Sequence, residues 1–426
     1  MKCWDDLRKE IIETELCTFC GTCIGACPQN NIYSEDEKIM GDDHCSSCGL
    51  CYDICPGKNF DFPHFNKHIF SSDYDTIDND LGHYNKILRG YCTDKQLRDK
   101  SSSGGVVTGL LIYLINSKKI DGAIVVTTDK EHPTRTKVIV AKTEMEIREA
   151  AQSRYTLTDT NAILKQLKRI EGKYAYVGLP CQVQGMRKLS ERVKSINNKI
   201  FLYIGLFCGF NISYEGTRYL LNKLNLEESQ VESLSYRGGT GTGGFLVKSK
   251  DKKEYFIEKH AYTYINMLFS PKRCWLCYDL TSEFADISIG DAWEKKNDAG
   301  WSRIFARSNK GVSLIQECIE NGWIYAEECS KDVLYTTQSQ LINYKKRGYW
   351  LRRKLVKHVP DYNIVKKTNI DSRLLEDLVF YMMLRLGKVD YIRKIIQVIP
   401  NQYISALSMF GRTIFKGRKH ETKQDY

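Results

Sequence analysis

A chain of 426 residues is too long for one hydrophobic core and suits two or three domains. It has no apolar run long enough to span a bilayer, and its opening MKCWDDLRKE is charged, which weighs against a signal peptide or a transmembrane helix. The formal charge of +11 is uneven: residues 1–60 carry a net of −6 and residues 345–426 a net of +12, so an acidic head and a near-neutral body precede a basic tail.

The head, residues 1–62, repeats one motif at an interval of 28 residues. Cys17, Cys20, Cys23 and Cys27, the last followed by Pro28, are matched by Cys45, Cys48, Cys51 and Cys55 before Pro56. Two such four-cysteine runs, in a chain with 16 cysteines, read as metal ligation in a reducing cytosol rather than as disulfides. They are the ligand pattern of a bacterial two-cluster ferredoxin, where each [4Fe-4S] cluster takes three cysteines of one run and the fourth of the other. The expected sets are Cys17, Cys20, Cys23 with Cys55, and Cys45, Cys48, Cys51 with Cys27. A pair of zinc knuckles is the alternative, against which the repeated Cys-Pro ending counts. Cys3 lies outside the pattern and reads as an ordinary thiol. Glu35, Asp36, Glu37, Asp42 and Asp43 form either a dock for a basic electron partner or a solvated face.

Residues 63–84 are polar, aperiodic and turn-rich, as in a linker, and His64, His68 and His83 within them are expected in solvent. The body, residues 85–335, starts with Ser101 to Gly105 leading into an apolar helical repeat. Free N–H groups there could seat an anion or a cofactor phosphate, a plain Ser/Gly cap being the alternative. Strands are expected at 122–127, 137–141, 174–178 and 200–206, and helices near 144–152, 160–170 and 182–190; that alternation implies an α/β layer with a partly parallel sheet. Cys181 and Cys208 each close a strand, at the carboxyl end where open α/β sheets place ligands. Cys274 and Cys277 supply two more thiols just before a strand at 285–289 that ends in Gly290 and Asp291. The four together could hold a metal; alternatively Cys181 and Cys208 are buried apolar residues and the pair is fortuitous. The glycine-rich stretch YRGGTGTGGF, residues 236–245, lacks the Lys-Ser/Thr of a phosphate loop and reads as a hairpin loop.

SSGGVVTGLL (102–111), AAQSRYTLTD (150–159), GLPCQVQGMRK (178–188), FCGF (207–210) and RCWLCYDLTSEFADISIGDAW (273–293) together resemble the coenzyme F420 hydrogenase/dehydrogenase beta subunit family, whose members include 7-hydroxymethyl chlorophyll a reductase. The resemblance implies a body that binds a flavin, FAD or FMN, and a third [4Fe-4S] cluster on Cys181, Cys208, Cys274 and Cys277. It places the flavin against Ser103, Gly104, Gly105, Arg154, Tyr155 and Thr156, with Tyr155, Arg154 and Asp291 as catalytic candidates. The expected architecture is mixed α+β and α/β: a small two-cluster ferredoxin domain, a flavin-binding body and a helical tail. The expected function is an iron–sulfur flavoprotein oxidoreductase taking electrons from a donor such as ferredoxin or a reductase to a small organic substrate, coenzyme F420 among them. The alternative is an electron-transfer subunit serving a separate catalytic protein.

The tail, residues 336–426, reads as helical, with apolar faces at 374–396 and 403–415 bordered by Lys and Arg. Such helices suit either packing on the body or peripheral contact with an anionic membrane surface. The basic charge carries no nucleic-acid-binding motif, so no nucleic-acid partner is expected. A cytoplasmic location, peripheral at the inner membrane surface, follows from the same reading.

Overall fold

The computed structural model describes residues 2–42, 44–239, 243–293, 300–365 and 374–406. In the head, strands β1 (Ile32–Glu35) and β2 (Lys38–Gly41) form an antiparallel hairpin. Each cysteine run continues into a short helix, Thr22–Ala26 and Leu50–Asp53.

The body is built on eight strands: β3 (Lys86–Cys92), β4 (Gly122–Thr128), β5 (Thr136–Ala141), β6 (Tyr174–Gly178), β7 (Ile200–Leu206), and further along the chain β11 (Ile287–Asp291), β12 (Ser302–Ala306) and β13 (Ile324–Glu328). Between them β8 (Val231–Gly238), β9 (Gly244–Ser249) and β10 (Glu254–Glu258) make a separate antiparallel sheet, with the glycine-rich stretch turning β8 into β9. The order of the large sheet is β13-β3-β12-β11-β7-β6-β4-β5. Its four central strands, β11, β7, β6 and β4, run parallel, and the flanking strands pair antiparallel.

Because helices cover both faces, the central strands are largely apolar, and every residue of β6 is buried. Alternate residues serve opposite cores. Ala175, Val177, Leu202 and Ile204 pack with the helix Val106–Asn116, while Tyr174, Tyr176 and Tyr203 pack with the helix Pro180–Arg192 and with Phe60, Phe62, Tyr349 and Tyr362. The second core therefore takes side chains from the head end, the body and the tail together.

Several elements differ from the sequence-based expectation. Residues 63–84 are not a plain linker: Phe62–Phe70 is a helix, capped by Asp61 accepting from the His64 N–H, and Phe62 and Phe65 are buried. His64 does stand in solvent, paired with Glu191, whereas His83 is half-buried on Phe70. The helix expected at 144–152 stops at Glu149, and Gln152 takes a left-handed φ of 80°. The span 160–170 holds only a turn of 3-10 helix and a turn of α-helix, Thr160–Ile163 and Leu164–Leu167. The strand expected at 285–289 is displaced to Ile287–Asp291, because Ala285 and Asp286 form the turn into it.

The tail is helical at Ser339–Lys345, Arg347–Arg352, Leu374–Leu386 and Asp390–Val398. Residues 407–415 of the apolar face expected at 403–415, together with Asp43, lie outside the described residues. The tail's first half is no appendage: Tyr344, Lys345, Lys346, Tyr349, Arg352 and Tyr362 are all buried against the body. Its later helices leave Leu375, Leu378, Val379, Met382 and Met383 exposed.

Candidate functional site

The thiols fall into three groups that perturb one another. Burial comes first in raising Cys17, to about 12, followed by Cys55 and Cys20. Cys23 is held well above the usual thiol range by burial, then by Cys20, Cys17 and Cys55. In the second group Cys51 is pushed to about 12 by burial, then by Cys45, Cys27 and Cys48. Across the two runs Cys55 thus acts on Cys17 and Cys23, and Cys27 acts on Cys51, while Cys51 also acts on Cys23. Backbone N–H groups of Phe19 and Gly57 donate to the sulfurs of Cys17 and Cys55, at 3.4 Å each.

The third group is the body set. β6 and β7 are neighbours in the parallel part of the sheet, so Cys181, in the first turn of the helix that follows β6, and Cys208, two residues past β7, meet at the same sheet edge. Cys181 is raised by burial, then by Cys20, Cys208, Cys277 and Cys274. The loop of Cys274 and Cys277 reaches this edge from outside, held by the tail: Arg352 Nε donates to the Trp275 carbonyl at 2.6 Å, and the Tyr362 hydroxyl to the Leu276 carbonyl at 3.2 Å.

Thiol chemistry, burial and N–H donors fit iron–sulfur clusters. Among the described residues no three His, Cys, Asp or Glu side chains converge on a single metal ion. Thiolates around one zinc ion would stand roughly 3.8 Å apart, from tetrahedral geometry with bonds of about 2.3 Å, whereas a four-iron core holds them wider.

Head and body meet between the first and third groups. The Asn161 N–H donates to the Cys20 carbonyl at 2.9 Å, and its side-chain amide donates to Thr22 Oγ1 and to the Gln182 carbonyl. The Tyr176 hydroxyl donates to Asn161 Oδ1. Two glycines permit this approach: a Cβ on Gly25 would lie 2.2 Å from the Asn161 carbonyl oxygen, and one on Gly185 would lie 2.2 Å from Thr22 Oγ1. Two cations close the joint. Arg273, 2% exposed, donates to the carbonyls of Gly57 and Pro56. Lys188 donates to the carbonyls of Cys55 and Asn59.

Two models describe the beta subunit of coenzyme F420 hydrogenase/dehydrogenase, one for its amino-terminal part and one for its carboxy-terminal part; residues 87–165 match the first and residues 171–332 the second. Residues 9–56 match a "4Fe-4S dicluster domain". The coenzyme F420 hydrogenase subunit beta of Methanothermobacter thermautotrophicus is 31% identical over 248 residues, which is 57% of this chain and 84% of that protein. The chain belongs to the coenzyme F420 hydrogenase/dehydrogenase beta subunit family. A coenzyme F420-dependent sulfite reductase of Methanocaldococcus jannaschii is 28% identical over 319 residues, 72% of this chain and 46% of that protein. A chain of the F420-reducing [NiFe] hydrogenase complex from Methanosarcina barkeri has the same fold, with a TM-score of 0.54 and 24% identity over 67% of this chain and 98% of that one. As a family member carrying a 4Fe-4S head, the chain is an iron–sulfur protein of an oxidoreductase family.

The two stretches expected from the sequence to seat a flavin stand side by side. The Ser153 N–H donates to Ser102 Oγ at 2.7 Å, joining 101–105 to 153–156. Within them many groups already serve the protein. A Cβ on Gly104 would meet the Gly90 carbonyl oxygen at 2.6 Å, so this glycine admits the backbone of β3. Arg154 donates to the carbonyls of Val126, Ala150, Ala151 and Gln152, and is a structural clamp. Tyr155 and Asp291, by contrast, converge on a residue the sequence did not single out. Arg237 Nη1 donates to Asp291 Oδ2 at 2.9 Å, and Tyr155, raised by burial, is drawn back down by the same guanidinium. Thr156 Oγ1 and Arg237 Nε are buried without hydrogen-bond partners, which fits a polar ligand at this place.

Thr156 also lines a cavity of about 440 Å³ between head and body, with Glu37, Arg135, Lys137, Asp159, Lys165 and Tyr214 among its other walls. Nothing in the sequence marked it, because its walls come from four separated segments.

Proposed function

We propose that this chain is an electron-transfer subunit that exchanges electrons with a separate catalytic protein. The observation that carries the reading is the succession of thiol groups: one reaches the surface at Cys48, the next lies behind it, and the third abuts that second group through Cys20 and Cys181. On this reading Cys45, Cys48, Cys51 and Cys27, then Cys17, Cys20, Cys23 and Cys55, then Cys181, Cys208, Cys274 and Cys277 each hold one [4Fe-4S] cluster. Bound there, such clusters supply one-electron transfer, and a flavin beside Ser103, Gly105, Tyr155 and Thr156 would supply two-electron chemistry. The protein's own part is to fix the thiols at the joint and to exclude water with Tyr176, Asn161 and Arg273.

The relatives named for coenzyme F420 make that compound the first two-electron carrier to test. The anaerobically reconstituted, dithionite-reduced chain should reduce a viologen dye directly yet give no sustained turnover of F420 or another organic acceptor until a partner protein is added. Turnover by the chain alone would favour the second reading, a flavin-dependent reductase, for which the half-buried Tyr155, Arg237 and Asp291 speak.

We further assign the exposed row Leu375, Leu378, Val379, Met382 and Met383 to a peripheral membrane contact. Among the described residues no helix is long and apolar enough to cross a membrane. Co-sedimentation with anionic but not neutral vesicles is the expected result, and none with either would remove the assignment.

A further inference from the structure

The basic tail hides a cation that does not behave like its neighbours. Lys345 ends the helix Ser339–Lys345 and is 1% exposed. Among the described residues no carboxylate is paired with it, whereas Lys346, the next residue, pairs with the buried Glu283. The groups that act on Lys345 are Cys277, Cys208 and Cys274, and after them Tyr344. The same ammonium is the strongest opposing influence on the thiols of Cys208 and Cys274, after burial. Phe210 lies 5.8 Å from its nitrogen and belongs to the loop that starts at Cys208.

A buried lysine without a carboxylate has lost its hydration and must recover that free energy from other negative charge. Here the charge on offer is three of the four body thiols. The helix that carries Lys345 lies beyond residue 332, where the match to the family model ends.

We propose that Lys345 sets the reduction potential of the body cluster, stabilising its reduced state. The proposal rests on the reading that Cys181, Cys208, Cys274 and Cys277 hold a cluster. One-electron reduction adds one negative charge to the cluster and breaks no bond; a fixed ammonium nearby favours the more negative state. In the head, Lys188 acts on Cys55 and Lys168 on Cys27, but each of these lysines also donates to a backbone carbonyl, of Cys55 and Ala26 respectively. Arg273, between the two, already donates to backbone carbonyls of the head.

The test is a redox titration of the full, reconstituted chain followed by electron paramagnetic resonance, with the body signal identified by its loss in Cys208→Ser. In Lys345→Gln the body cluster's reduction equilibrium should shift at least tenfold toward the oxidised form, which is about 59 mV lower in midpoint for one electron. Both head midpoints should stay in place, and Lys345→Arg should restore most of the shift. Loss of the body cluster from Lys345→Gln but not from Lys345→Arg would support the same need for positive charge. Loss from both variants would assign the lysine to packing and overturn the proposal, as would an unmoved body midpoint or three midpoints that move together. A wild-type chain that takes up only two clusters would instead overturn the three-cluster reading on which the proposal stands.

Discussion

Glu37 shows how a single side chain ties the head to the body. It sits in the β1–β2 turn, with φ at 59°, and both of its carboxylate oxygens accept the N–H of Tyr214 at 2.7 Å. That N–H opens the body helix Tyr214–Lys223, so the head supplies the cap of a body helix. Burial pushes the carboxyl up to about 7, against the pull of Tyr214, Arg135 and Arg218. A carboxyl whose folded pKa exceeds its unfolded one contributes stability at low pH and loses it as the pH rises through the folded value. Glu37→Gln should therefore gain in thermal stability relative to the wild type between about pH 5 and pH 8, by on the order of 1–3 kcal/mol. A difference that stays constant across that window would refute the assignment. Lys346 and Glu283 are deeper, with side chains 4% and 2% exposed. Lys346→Met should cost about 3–5 kcal/mol in thermal denaturation by leaving Glu283 buried and unpaired, and adding Glu283→Leu should recover most of it. Failure of the double variant to recover would mean that the lysine's packing, not its charge, matters.

At the scale of elements, the ligands were legible in the sequence and their surroundings were not. Eight head cysteines announce themselves because their spacing is local: three residues apart in a loop, each loop closed by proline. Strands β4, β6 and β7 were legible for a similar reason, since a strand buried on both faces is apolar along most of its length, and the edge strand β5 was legible as the β-branched run 138–140. Strands β3, β12 and β13 were missed; Arg89, Gly90 and Arg303 interrupt the pattern of the first two, and their roles depend on cross-strand neighbours. Asn161, Arg237 and Arg273 act only through partners far away in the chain, and no local pattern distinguishes them from surface residues. The crossing of the helices Thr22–Ala26 and Pro180–Arg192 is such a long-range feature. Gly185→Ala should cost about 1–3 kcal/mol by overpacking against Thr22 and loosen the head, read as faster proteolysis between head and body. Unchanged stability and proteolysis would show that the contact is not tight.

The whole molecule departs most from its sequence in the tail. A net of +12 over residues 345–426 suggests a solvated basic extension, yet Lys345, Lys346 and Arg352 are among its most buried residues. Net charge sums buried and exposed cations alike, so it could not reveal that the extension seals the third thiol group. Head, body and tail are thus interdependent: the head's Cys20 adjoins Cys181, the body supplies the four thiols, and the tail's Arg352 and Tyr362 hold the loop of Cys274 and Cys277. Three clusters in one chain is the central claim of this account. Iron and acid-labile sulfide, measured per chain after anaerobic reconstitution, should each come to about twelve, at four per cluster. A value near eight, with the head's signals intact, would contradict it.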